Sequence, residues 1–367
     1  MKSGNPTSRN TPNCHNPKRF SMLKLTITER TFHFKQPAGT SRGVYTTRRS
    51  WFVTATDTNH PEVTGVGECA PLPKLSCDDL PDYAVVLRTM CDKVEQEGKL
   101  DLGGALRHFP SMLFGLETAL IRLRTASDII FDTPFTRGEM GIPINGLVWM
   151  GDYEQMLHRM EEKMERGFRC VKIKIGAIDF EKELDLVSRV RDRFTKEDIQ
   201  LRLDANGAFT PGEVMDVLQR LAKYNIHSIE QPIRQGQWGE MADVCAKSPI
   251  PIALDEELIG VNDRQEKERL LEQIKPQYII LKPSLHGGVA GTTEWVNLAR
   301  ERGIGSWMTS ALESNVGLSA IAQLAAQLYG CPPTMPQGLG TGQLFTDNID
   351  RPLKVVGDQL FYTKEGT

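Results

Sequence analysis

The segment Cys170-Val-Lys172-Ile-Lys174-Ile-Gly176 places two lysines two positions apart inside a short, β-branched apolar run. In a strand, side chains at i and i+2 share a face, so Lys172 and Lys174 lie together, opposite Val171, Ile173 and Ile175. Two adjacent ammonium groups are costly to bury unless carboxylates or a metal site compensate them. The chain downstream supplies that compensation. Apolar runs end on Asp204, Glu230, Asp255 and Lys282, and together with Lys174 these charged ends recur every 25 to 30 residues, about one strand–helix unit apart. Three carboxylates without His or Cys make a hard oxygen donor set, suited to Mg2+, with Mn2+ as the alternative. A metal beside a lysine suits removal of a proton next to a carboxylate. The cation offsets the charge that builds on the carboxylate, and a lysine whose pKa is depressed by nearby positive charge acts as base near neutral pH. A solvated edge strand explains the two lysines taken alone, and a rim salt bridge explains any one carboxylate. The joint pattern favours a site.

These residues need elements to bring them together. From Ile142 onward, strand patterns at 142–149, 170–175, 199–204, 227–230, 251–255, 278–282 and 304–308 alternate with helical ones. The helices read at 152–166, 180–193, from Thr210-Pro211, after Trp238, and at 264–274, 290–302 and 315–329; 335–339 is a candidate eighth strand. Such alternation predicts a parallel sheet. In a closed barrel the C-terminal strand ends form one rim, where evenly spaced charged ends converge; an open sheet would spread them along an edge. The expected fold is therefore α/β, a (β/α)7β TIM-like barrel. The lysines fall on strands two and six, opposed across the ring, with the carboxylates on strands three to five between them.

Four regions are expected. Residues 1–21, rich in Asn, Pro, Ser and Thr and free of Asp and Glu, read as a disordered extension without the apolar core of a secretory signal, and Met22 as a candidate start. Residues 22–135 read as an α+β capping domain, with strands through 23–67 and helices at 79–97 and 111–125. The barrel takes 136–340, and 341–367 returns to the cap, ending in a hairpin over 351–362. Gly65-Val-Gly67 is not a dinucleotide fingerprint, since its strand runs into prolines rather than a helix. Residues 68–73 are a candidate lid, or a rigid Pro-bounded turn.

Composition narrows the classes. A net charge of −3 gives no reason to expect nucleic acid or an anionic membrane as partner, and no apolar run is long enough to span a bilayer. The seven cysteines are scattered without a Cys-x-x-Cys pair, which points to free thiols in a reducing cytoplasm and away from structural zinc. Cys170 reads as an apolar filler. His286, beside Gly287-Gly288, reads as a plain loop histidine, or as a contact for an anionic substrate group.

Lys172-x-Lys174, Asp204-Ala-Asn206, Glu230-Gln-Pro232, Asp255-Glu256 and Lys282-Pro283 together resemble the enolase superfamily, in the order and spacing of its muconate-lactonizing-enzyme-like subgroup. A lysine base beside Mg2+ is a known arrangement of that superfamily. The resemblance runs from about residue 22 to the end. It implies Mg2+ on Asp204, Glu230 and Asp255, catalytic lysines at 174 and 282 on opposite faces of a small carboxylate substrate, and Lys172 as electrostatic support. Asn206 and Glu256 look like auxiliary ligands or plain strand-end caps. Thr309-Ser310-Ala-Leu-Glu313-Ser-Asn-Val-Gly317 and Gly338-Leu-Gly340-Thr-Gly342 look most like the o-succinylbenzoate synthases. That likeness implies substrate contacts at Thr309, Ser310, Gly338 and Gly340 and a dehydration that yields an aromatic ring. Two opposed lysines also suit racemisation or epimerisation, as of an N-succinylamino acid. Dipeptide epimerases of the subgroup typically carry Asp-x-Asp where this chain has Gly338-Leu-Gly340, so a substrate ammonium would lack its partner. Muconate cycloisomerisation and a non-catalytic barrel scaffold are the weaker alternatives.

Overall fold

The computed structural model describes residues 20, 22–40, 43–149 and 151–363. The extension expected at 1–21 lies outside them, apart from Phe20. Alternating and β-branched residues build β1 (Leu23–Thr40), β2 (Gly43–Asp57) and β3 (His60–Cys69), an antiparallel sheet in that order. Helices α1 (Tyr83–Glu97) and α2 (Pro110–Thr125) bury Leu87, Val94, Leu116 and Leu120 against Leu25, Trp51 and Val53 of the sheet. Gly65 and Gly67 have a packing role here. A Cβ at Gly65 would lie 2.1 Å from the Ala119 carbonyl oxygen, and one at Gly67 would lie 1.8 Å from that of Gly115. Only bare backbone lets α2 rest so closely on β3.

Asp78 ties the following loop to α2. Its carboxyl is buried and accepts the Ser111 N–H (2.8 Å) and the Ser111 hydroxyl (2.6 Å). Burial pushes it up to about 6, against Ser111's stabilising hydrogen bonds. The unfolded chain titrates this group near 4, so its protonated form contributes stability that is fully present below about pH 4 and lost as pH rises through about 6. We expect Asp78→Asn to match the wild type near pH 4 and to exceed it by up to about 3 kcal/mol at pH 7.5. Urea melts at the two pH values measure this. An equal difference at both would show that Asp78 does not titrate in this window.

The second layer begins with β4 (Ile142–Pro143) and β5 (Gly146–Val148). Then follow α3 (Tyr153–Glu165), β6 (Cys170–Lys174), α4 (Phe180–Arg193), β7 (Gln200–Asp204), α5 (Val214–Ala222), β8 (Ser228–Glu230) and α6 (Trp238–Lys247). The series continues through β9 (Ile252–Leu254), α7 (Arg264–Ile274), β10 (Tyr278–Leu281), α8 (Gly288–Glu301), β11 (Gly305–Met308) and α9 (Asn315–Tyr329). Strands β5 to β11 pair in parallel in chain order. The ring closes through Gln337 and Gly338, which bridge in parallel to Ile144 and Thr309, within the segment expected as the eighth strand. This is a (β/α)7β barrel carrying an N-terminal α+β cap.

Two local expectations shift. The 142–149 strand divides at Ile144 and Asn145, because Asn145 N–H donates to the Gln337 carbonyl (3.0 Å) to close the ring. Thr210-Pro211 does not start a helix. The Thr210 N–H donates to the Glu213 carboxylate (2.9 Å) in a turn, and α5 begins at Val214.

Two buried glutamates seat the cap on the barrel. Glu68 of β3 accepts the Ser314 N–H (2.9 Å), the Ser314 hydroxyl (2.6 Å) and the Gly317 N–H (2.9 Å) at the start of α9. Glu117 of α2 accepts the Val289 (2.6 Å) and Ala290 (3.0 Å) N–H groups at the start of α8. Helix N-termini offer unpaired N–H groups and a favourable dipole, so each carboxylate satisfies donors that would otherwise be buried and unpaired. Glu68 is thus a docking residue rather than part of a lid. After the barrel, Phe345 bridges Phe34 of β1, and the Thr346 N–H reaches the His33 carbonyl (2.9 Å). The terminal hairpin, β12 (Leu353–Val356) and β13 (Gln359–Tyr362), then pairs with β4 and not with the cap sheet. Its alternating pattern marks strands but carries no information about their partner. Among the described residues no helix is long and apolar enough to cross a membrane.

Candidate active site

Period-2 alternation in the barrel strands sorts the side chains into two sets. Val171, Ile173, Leu201, Leu203, Ile229 and Leu254 join the apolar layer beneath the helices. Lys172, Lys174, Arg202, Asp204 and Glu230, on the alternate positions, face the barrel interior. Strand register then aligns the charges. Lys174 is paired with Asp204, Asp204 with Glu230, and Glu230 with Ala253, so Asp255 lies two residues beyond Ala253 on the same face. Lys282 follows the last residue of β10, four strands from β6.

The side chains form one ion-paired network. Lys172 Nζ donates to Asp204 Oδ2 (2.9 Å) and Glu230 Oε2 (2.8 Å). Lys174 Nζ donates to Asp204 Oδ2 (3.0 Å) and Asn206 Oδ1 (2.6 Å). Asn206, in the left-handed region at φ 45°, passes the chain on by donating Nδ2 to Glu256 Oε1 (3.0 Å). Lys282 Nζ donates to Asp255 Oδ2. Asp204, Glu230, Asp255 and Glu256 are all buried.

Burial works against a charged Asp204, but the Lys172 and Lys174 ammonium groups outweigh it and hold the carboxyl well below its usual range. Glu230 has only one direct ammonium donor, Lys172, which it shares with Asp204, and Lys282 acts on it from farther away. Burial, with Asp204 and Asp255 beside it, pushes it up to about 8. Asp255 is raised by burial in spite of Lys282. The two lysines not assigned as the base are shifted the other way from a depressed amine. Burial does oppose the Lys172 and Lys282 ammonium groups. At Lys172 the Asp204 and Glu230 carboxylates win, and at Lys282 those of Asp255, Glu256 and Glu230 win, so both lysines titrate above their ordinary value.

The three carboxylates sit on neighbouring strand ends, yet among the described residues no three acidic, imidazole or thiol groups form a ready-made metal cage. They are drawn to the lysines instead. The donor set still suits a hard cation: Asp255 Oδ1 and Glu256 Oε2 are buried acceptors without a hydrogen-bond donor. Crowded anionic charge also raises Glu230, and a divalent cation is the charge that relieves it.

A cavity of about 320 Å3 opens above the network. It is lined by Lys172, Lys174, Asp204, Asn206, Glu230, Glu256 and Lys282, and also by Thr309, Ser310, Gly338 and Gly340. Of the expected site residues, only Asp255 lies below its surface. Thr309 Oγ1 donates to the Gly338 carbonyl (3.0 Å), and the Ser310 and Thr341 hydroxyls are 2.6 Å apart. Gly338 is needed for close packing, since a Cβ there would stand 2.4 Å from Thr309 Oγ1. His286 does not face the cavity chemistry; its Nδ1 accepts the Lys282 backbone N–H (2.9 Å). Cys170 is a buried thiol, raised by burial, as expected of a filler.

Sequence reading passed over two groups. Arg202 is buried one layer below Asp204, its guanidinium 4.1 Å from the Trp307 ring centroid and donating to the Pro336 carbonyl (2.9 Å). The i, i+2 relation to Asp204 was the available signal. Of the apolar roof, Leu72 lies in the segment named as a candidate lid, whereas Leu75 and Leu312 left no signal, because the roof joins loops 240 residues apart in the chain.

A family profile described as Enolase C-terminal domain-like matches residues 155–355. The o-succinylbenzoate synthase of Desulfotalea psychrophila is 45% identical over 371 residues, covering 93% of this chain and 99% of that one. A crystal structure of MenC from the same organism superposes with a TM-score of 0.77 at 41% identity, over 93% of this chain and 100% of that one. An L-amino acid-D/L-Glu epimerase of Francisella philomiragia is 28% identical over 177 residues, 48% of each chain. The chain therefore belongs to the enolase superfamily and, within it, to the o-succinylbenzoate synthase family.

Proposed function

We propose that this site removes water from 2-succinyl-6-hydroxy-2,4-cyclohexadiene-1-carboxylate to give o-succinylbenzoate, a lyase step of menaquinone biosynthesis. The observation that carries the reading is 45% identity to a synthase over 93% of this chain and 99% of the relative, supported by the lysine–carboxylate network at the barrel mouth. Lys174, in its amine form, takes the proton α to the ring carboxylate. The electron pair released moves into the carboxylate as an ene-diolate. Lys282, on the opposite face, stabilises that charge as an ammonium, a role for which Asp255 holds it protonated. The ene-diolate then expels the ring hydroxyl, which leaves as water with the proton from Lys174, and the ring becomes aromatic. Lys172 stays protonated between Asp204 and Glu230 and keeps both carboxylates in place.

Asp204, Glu230 and Asp255 would hold Mg2+, with Asn206 and Glu256 in support. The cation supplies positive charge to the substrate carboxylate as the proton leaves. A divalent cation carries two positive charges against the two negative charges of a dicarboxylate substrate, so the pair enters without adding net charge to the buried site. Among the described residues the cysteines at 69, 77, 91, 170, 245 and 331 are free thiols, which supports the expected cytoplasmic setting.

The test is a spectroscopic assay of the purified protein with Mg2+ and the cyclohexadiene substrate, with an EDTA control and a parallel reaction of an N-succinylamino acid in deuterated water. Fast, EDTA-sensitive aromatisation is expected. Deuterium incorporation into the amino acid without aromatisation would move the function to racemisation on the same lysines.

A further inference from the structure

Carbonyl groups from two separate loops converge on one buried guanidinium. Arg48, on β2 and 1% exposed, donates from Nη1 to the Pro71 carbonyl (2.5 Å) and from Nη2 to the Ala70 carbonyl (2.7 Å). Its Nε donates to the Leu312 carbonyl (3.2 Å), with a longer Nη2 contact to Ala311 (3.4 Å). The first pair of carbonyls belongs to the cap loop after β3, and the second to the barrel loop after β11. Each loop sends apolar side chains over the cavity that holds the lysines: Leu72 and Leu75 from the cap, Ala311 and Leu312 from the barrel. Leu72, Ala311 and Leu312 belong to one buried cluster with Leu285.

The barrel loop is also under backbone strain. Leu312 has φ 63°, in a region that a branched side chain seldom occupies, and the loop is held there from both sides. Arg48 binds the Ala311 and Leu312 carbonyls, while the Glu313 carboxylate accepts the Ala311 N–H (2.7 Å). A planar guanidinium has the fixed donor fork needed to address carbonyls on two sides at once, which a lysine ammonium lacks.

We propose that Arg48 is a positioning residue that sets the spacing between the cap loop at 70–72 and the barrel loop at 311–312, and thereby the roof that selects the substrate. The inference concerns the roof, so it holds whichever of the two reactions the lysines carry out. It is tested with whichever substrate the wild-type protein turns over.

Arg48→Lys keeps the charge and removes the fork. We expect KM to rise about tenfold and kcat to stay within about threefold, because the lysines and carboxylates are untouched. A double-mutant cycle with Leu72→Ala identifies the route. If Arg48 acts through the roof, Arg48→Lys made in the Leu72→Ala background changes KM by less than about threefold. An unchanged KM in the single variant, a fall in kcat alone, or fully multiplicative effects in the cycle would each overturn the proposal. Should Arg48→Lys not fold, amide hydrogen exchange on the wild-type protein decides. Residues 70–76 and 310–313 are expected to open together with one protection factor, and independent opening would overturn the clamp.

Discussion

Replacing Lys174 with alanine is expected to remove turnover while the protein stays folded. Lys174 is one of two ammonium groups on Asp204 Oδ2, so its loss leaves that carboxylate paired with Lys172 at 2.9 Å rather than stranded. Asn206 loses a donor to its oxygen but keeps its own bond to Glu256. The structural cost is therefore small. The chemical cost is not, because no other described amine sits on this face between Asp204 and Asn206. Removing a general acid–base group costs about 10²- to 10⁴-fold, and Lys174 is assigned two proton transfers in one turnover, so a fall in kcat of about 10³-fold or more is expected. Steady-state kinetics with a matched circular-dichroism melt would measure it. A folded variant retaining a tenth of the wild-type rate would remove Lys174 from the proton path.

Asp204→Asn should be nearly as damaging, by a different route. The wild-type carboxylate accepts from Lys172 and Lys174 at once, and these ammonium groups are why it titrates so low. An amide carries no charge to hold two neighbouring cations together, and one of its ends offers donors to donors. The same change takes one of three carboxylates from the proposed Mg2+ set. The Mg2+ concentration that supports half-maximal activity should rise by about a hundredfold or more, and kcat should fall even at saturating Mg2+, because Lys174 loses its anchor. Calorimetric titration of Mg2+ separates the two effects. Unchanged affinity with reduced kcat would restrict Asp204 to placing the lysines; unchanged kcat at saturating Mg2+ would restrict it to the metal.

Much of this site was legible from the chain because a β/α barrel turns sequence spacing into spatial order. One strand–helix unit takes about 25 to 30 residues here, and every strand presents its C-terminal end to the same rim. Charged residues recurring at that interval must therefore meet, and the period-2 rule states which of Lys172 and Val171 faces inward. The same rule reached Arg202 without being applied. Features that depend on chain segments far apart were not legible. The pairing of the last hairpin with Ile142–Pro143 and the roles of Glu68 and Glu117 at helix N-termini join residues whose local sequence looks like an ordinary hairpin, strand or helix.

The charge states divide along the same line. That lysines and carboxylates share a rim follows from composition and spacing. Which lysine takes which carboxylate does not, because a shift of one ångström changes the winner when burial and Coulomb attraction are both large. The sequence alone determined the barrel, the order of the charges around it and the class of chemistry they permit, since these rest on periodicities that the backbone imposes. The tertiary structure decided the pairing of Lys172 with Asp204 and Glu230, the raised Lys172 and Lys282, and the roof held by Arg48. Those depend on distances between side chains that no periodicity encodes.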